Sequence, residues 1–149
     1  MRAIGCILFL ISCVSTQAQK TLREEYSQAI EEKQVAIAFL KTLQQMEQTP
    51  RIEGYQGAVK MISAKHWINP FKKLSYFKEG KQQLDNAIKK VPKDIELRYL
   101  RYGIQKNAPR FLNYSSNLEA DKKMLTDKEY LKNTDEDLRE RIEDIIDNF

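Results

Sequence analysis

The chain has 149 residues, enough for one domain with a real core. It carries 25 basic and 21 acidic residues, a net charge of +4, with two cysteines and one histidine. So small a net charge gives little support to nucleic-acid binding, and one histidine without a cysteine nearby does not make a transition-metal site.

The first eighteen residues differ from the rest. Arg2 supplies a short positive start, and Ala3 to Val14 is apolar. That run is shorter than the roughly 20 residues a bilayer-spanning helix needs. Small residues at Thr16 and Ala18 follow. The pattern predicts a signal peptide over 1–18, cut after Ala18, and a single helical domain over 19–149. The mature chain would then be exported to a periplasm or beyond. Both cysteines, Cys6 and Cys13, lie in the leader. The mature chain would therefore have no disulfide, no thiol nucleophile and no zinc–thiolate site.

The remainder reads as helices. Leu22, Tyr26, Ala29, Ile30, Ile37, Leu40 and Leu43 recur at three- and four-residue steps, widened by Val35 and Phe39. They predict one helix over Lys20 to Gln48, ended by Thr49-Pro50. A second runs from Arg51 to Trp67 on Tyr55, Ala58, Val59 and Ile62. Its Gly54 and Gly57 cost helix propensity, which is repaid if another helix approaches closely. Asn69 caps a third, over Pro70 to Lys90, with Phe71, Leu74, Phe77, Leu84, Ala87, Ile88 and Val91 inward. Lys89 and Lys90 suit its last turn.

A fourth helix is capped by Asp94 and runs to about Lys106. Ile95, Tyr99 and Tyr102 lie on one side of it. Leu97, Leu100 and Ile104 lie on another, so it is expected to be covered on both. Its polar stripe, Arg98, Arg101 and Gln105, is expected to face outward. A fifth helix from Pro109 carries Phe111, Leu112, Tyr114, Leu118 and Leu125. A short turn over Lys128 to Leu131 follows. Thr134-Asp135-Glu136-Asp137 then caps an amphipathic last helix on Leu138, Ile142, Ile145, Ile146 and Phe149. The fold class is all-α, with about five to seven helices. From Glu119 onward there are 11 acidic and 6 basic residues, against a basic excess before it, so the two parts could attract each other.

Three resemblances accompany these patterns. Gly80, Leu84, Ala87 and Pro92 resemble the second helix of a tetratricopeptide repeat, which implies a stack of antiparallel helix hairpins in that style. Leu10-Ile11-Ser12-Cys13 resembles a bacterial lipobox, which would make Cys13 a lipidation site and hold the protein on an outer membrane. The leader ending Thr-Gln-Ala-Gln, with Glu96 to Arg101 placed before Pro109-Arg110-Phe111-Leu112, resembles small exported helical proteins of Gram-negative envelopes that have no assigned activity.

Chemistry is sparse. Ser63, Ser75, Ser115 and Ser116 lack a nucleophile-elbow setting, and His66 alone could act as an imidazole base. No phosphate loop or dinucleotide fingerprint is present, and no cofactor is implied. Glu96 falls inside the apolar arc of the fourth helix, so it is either a carboxylate for catalysis or an ion-paired structural acid. Tyr99 and Tyr102 with Arg98, Arg101 and Gln105 mix aromatic and guanidinium groups, as protein interfaces do. The expected function is a non-enzymatic module that binds an envelope protein or peptide. The alternative is a small carboxylate-based hydrolase or ligand-binding protein with a helical cleft.

Overall fold

The computed structural model describes residues 3–147, with side chains from Gln17 on. The side chains of residues 1–16, Cys13 among them, and Phe149 lie outside the described set. Among the described residues the fold is all-helical. Eight α-helices are present: α1 Ala3–Glu31, α2 Lys33–Gln45, α3 Pro50–Ser63, α4 Pro70–Lys90, α5 Ile95–Asn107, α6 Leu118–Leu125, α7 Lys128–Leu131 and α8 Glu136–Asp147. Two 3-10 turns, Ala64–His66 and Arg110–Leu112, join them.

The starts of the helices follow the sequence. Thr49, Asn69 and Asp94 are extended in backbone, and their side chains accept from the first-turn amides of α3, α4 and α5. Each cap satisfies donors that a helix leaves unpaired at its start. Pro50 and Pro70 occupy first-turn positions where no amide hydrogen is needed.

The expected single helix over Lys20 to Gln48 is two helices. Glu32 is extended, with φ −114° and ψ 118°, and α2 turns back from α1. The reason lies in Tyr55 of α3. Tyr26 of α1 meets its ring edge-on at 6.0 Å, and Phe39 of α2 meets it at 6.2 Å. A straight helix brings only one of those rings to Tyr55. Burying Phe39 and Leu43 contributes about 1.5–3 kcal/mol each, which outweighs one break.

The expected fifth helix is also divided. The 3-10 turn ends at Asn113, whose positive φ of 48° is a conformation asparagine tolerates better than most residues. Helix α6 starts only at Leu118.

α3 and α4 pack in the closest contact of the fold. A Cβ on Gly57 would lie 2.6 Å from both the Gly80 carbonyl oxygen and the Leu84 amide nitrogen, so backbone touches backbone there. At one end of this pair the Lys90 ammonium donates to the Glu53 carboxylate at 2.5 Å. At the other end α4 outruns its partner. Phe71 and Leu74, expected inward, are therefore exposed. Phe111, expected on a helix stripe, is exposed in its 3-10 turn.

Helix α5 divides two cores. Leu97, Leu100 and Ile104 join the main one, built from α1 to α4, and Ile95 and Tyr102 join a smaller one with Leu125, Leu138 and Ile142. Tyr99 touches both. The two apolar sides read from the wheel each have their own cover.

Candidate functional site

The polar stripe of α5 does not face water. Arg101 is 5% exposed and Gln105 is 3% exposed, while Arg98 is half-buried. Their counter-charge is Asp121, at the centre of α6 and fully buried. Arg101 donates to Asp121 through Nε (2.7 Å) and Nη2 (2.8 Å), and Arg98 donates through Nη1 (2.8 Å). Arg101 also reaches Asp85 of α4 at 3.2 Å, and Arg98 holds the Pro92 carbonyl. A desolvated guanidinium persists where carboxylates accept hydrogen bonds from its N–H groups. Burial works against the Arg101 charge, but the Asp121 and Asp85 bonds outweigh it and raise its pKa. Tyr102 is buried in the smaller core and Tyr99 half-buried between the two. Of the five residues expected to meet a partner, Arg101, Tyr102 and Gln105 are buried, and Arg98 and Tyr99 are half-buried.

Glu96 is the centre of a second network. Its Oε1 accepts from Arg23 Nε (2.8 Å) and the Tyr55 hydroxyl (2.5 Å). Its Oε2 accepts from Arg23 Nη2 (2.9 Å) and faces Arg51 Nη1 at 3.6 Å. Arg23 of α1 continues to Asp135 and Asp137 at the start of α8, so all five guanidinium donors are used. Burial, and then the Glu96 charge, push the Tyr55 hydroxyl well above its ordinary pKa. A cleft of about 390 Å³ opens beside Glu96, lined also by Lys93, Glu129 and Asn133. Both carboxylate oxygens are already occupied by donors. Glu96 is not the uncommitted acid that a general acid or base requires.

His66 ends the first 3-10 turn. Its Nε2 is buried with no hydrogen-bond partner. Burial, with Lys65 and Lys33 nearby, lowers its pKa below the ordinary value. Ser63 Oγ is buried without a hydrogen-bond partner, Ser75 donates to Glu79 and Ser116 accepts from Asn117, so none of these three hydroxyls is paired with His66.

A feature that the helical wheels did not bring together is a groove of about 960 Å³. Tyr26, Met61, Phe77, Leu100 and Ile104 form its apolar floor, and Leu74, Phe111 and Leu112 its mouth. Lys65, Lys73 and Lys78 line it, and no acidic residue does. Its size and apolar lining are those of ligand and peptide sites. The signal is present in the sequence as Leu74 and Phe111, but each reads there as part of a buried stripe. The described residues hold no group of three histidine, cysteine or acidic side chains placed for a metal ion.

No family model, curated protein or solved structure matches the chain.

Proposed function

We propose that this chain is an exported, non-enzymatic helical module of a bacterial cell envelope that binds a segment of a protein or peptide partner. The observation that carries the reading is the groove: about 960 Å³, floored by apolar side chains, rimmed by lysines and edged by a Phe111 that is 82% exposed. A helix or extended peptide presenting apolar side chains fits such a surface. The commitment of Glu96, Arg101 and Asp121 to ion pairs speaks for a scaffold rather than a reacting centre. Export rests on the leader pattern over 1–18, with cleavage after Ala18, or on lipidation at Cys13 as the alternative route.

The tetratricopeptide-like stack of antiparallel hairpins is part of the same proposal. Its support is in α3 and α4: Glu53 meets Lys90 and Gly57 meets Gly80, so the two helices run in opposite directions. Gly80, Leu84 and Ala87 are buried ahead of Pro92, as that resemblance implies.

The test is photo-crosslinking in the native envelope with a reactive residue at Phe111, and with a control at the exposed Glu140. A discrete adduct at Phe111 that is absent from Glu140 is expected. Recovery of only the uncoupled chain from the Phe111 position would sink the reading.

A further inference from the structure

The groove is not the most exposed apolar feature. From Gly54 to Lys78 the sequence has five lysines and no acidic residue. The structure folds the middle of that stretch into a corner, where the 3-10 turn Ala64–His66 passes through Trp67-Ile68-Asn69 into α4. Ile68 is 99% exposed and Phe71 81% exposed, with Trp67 partly exposed beside them. Lys65, Lys72 and Lys73 are exposed around them, and Lys72 Nζ sits 5.5 Å from the centre of the Trp67 ring. Phe111 stands across the groove mouth that Pro70 and Leu74 share.

Each of these exposures alone is unremarkable on a protein surface. Together they place bulky apolar tips within a ring of cations. That is the composition of an interfacial membrane contact. The tips enter the boundary between headgroups and acyl chains while the long lysine stems let the ammonium groups stay with the headgroups. Asn69 already satisfies the amides of Phe71 and Lys72, so little bare backbone would be taken out of water. The described residues contain no helix long and apolar enough to cross a bilayer, so this contact lies on the surface.

We propose that the corner formed by Trp67, Ile68 and Phe71, ringed by Lys65, Lys72 and Lys73, docks on an anionic lipid bilayer. The charge decides the lipid class. With no acid in the stretch, an anionic surface attracts the corner, and each lysine near it is worth about five-fold in binding. This contact is independent of lipidation at Cys13, while Lys65 and Lys73 are shared with the lining of the groove.

Trp67 is the chain's only tryptophan, so its fluorescence reports on this corner alone. The full chain is titrated with phosphatidylglycerol vesicles and with phosphatidylcholine vesicles. Expected with phosphatidylglycerol are a blue shift, quenching by brominated acyl chains, and reversal in about 1 M salt, where the screening length is about 3 Å. Phosphatidylcholine should bind at least tenfold more weakly. Lys65→Gln with Lys73→Gln should weaken phosphatidylglycerol binding about 30-fold, and Ile68→Asp with Phe71→Asp should abolish the quenching. All four side chains are exposed, so the fold is not at stake. The apolar leader could carry the chain to vesicles by itself. Sedimentation with vesicles while Trp67 stays open to iodide would therefore overturn the proposal. So would equal responses to the two lipids, or the same blue shift from polyglutamate without lipid.

Discussion

Replacing Arg23 by methionine tests the claim that a buried ion network fastens α1 to α5 and α8. Arg23 is 1% exposed and serves three carboxylates. Methionine keeps much of the aliphatic stem and removes all five donors. Asp135 and Asp137 are each about a quarter exposed, so water can take up their charge. Glu96 cannot be rescued that way. It would keep the Tyr55 hydroxyl and the more distant Arg51, with its own side chain only 1% exposed. Breaking one side of such a pair costs about 3–5 kcal/mol. Against a typical total of about 5–15 kcal/mol, that removes a large fraction of stability and lowers Tm by more than about 10 °C. Urea unfolding followed by far-UV circular dichroism measures it. In Arg23→Met with Glu96→Leu the stranded charge is gone, so most of the loss should return, with a coupling energy of at least about 2 kcal/mol. A loss below about 1 kcal/mol in Arg23→Met, or simple additivity in the pair, would refute the reasoning.

Gly57→Ala should cost about 3 kcal/mol or more, because its Cβ meets the backbone of α4 on two atoms and the helices must separate. Gly103→Ala is the contrast: its Cβ meets only the tip of Ile145, and alanine favours the helix by about 1 kcal/mol, so thermal melting should show little loss or a small gain. Asp121→Asn should lose about 3 kcal/mol in the same urea assay, since it strands Arg101, whose remaining carboxylate partner is Asp85. Acid should destabilise the protein in a defined window. Hydrogen bonds from Arg23 hold the Asp135 carboxyl below its ordinary pKa; at Asp137 burial opposes ionisation, but bonds from Arg141 and Arg23 prevail and lower its pKa too. Folded values below unfolded ones mean the stabilisation is complete above about pH 4 and is lost as pH falls through the folded values. The urea midpoint should be level above about pH 4 and drop below it. A midpoint as high at about pH 3 as at neutrality would contradict this.

Helix caps and apolar spacing are local properties, and they were legible. Asp94, Asn69 and Thr49 could be named from their places before apolar runs, and both sides of α5 from its wheel. The break at Glu32 was not legible, because no glycine or proline marks it. It is imposed by Tyr55, more than twenty residues away, which needs a ring from each side. The exposure of Phe71 and Phe111 was hidden for a related reason. A stripe tells which face of a helix is apolar, not whether a partner reaches that far. The Arg98, Arg101 and Gln105 stripe failed most instructively. A helical wheel records polarity, and a guanidinium paired with a buried aspartate has the same polarity as one in water. Asp121 is twenty residues beyond Arg101, on a helix whose start was misplaced.

The charge split of the chain has a physical reading once those pairs are known. The attraction between a basic body and an acidic C-terminal segment is carried by three of the segment's acids. Asp121 holds α5, and Asp135 with Asp137 holds α1 through Arg23. The core under that segment is small, with Ile95, Tyr102, Leu125, Leu138 and Ile142 as its buried members. Helices α6 to α8 are thus fastened by ions as much as by apolar burial. Buried pairs are poorly screened, so salt should loosen this segment far less than acid does. The same argument places Arg101 in the core and leaves Arg98 half-buried. Among the exposed cations, Lys65, Lys73 and Lys78 line the groove, and Lys65, Lys72 and Lys73 surround the Trp67 corner.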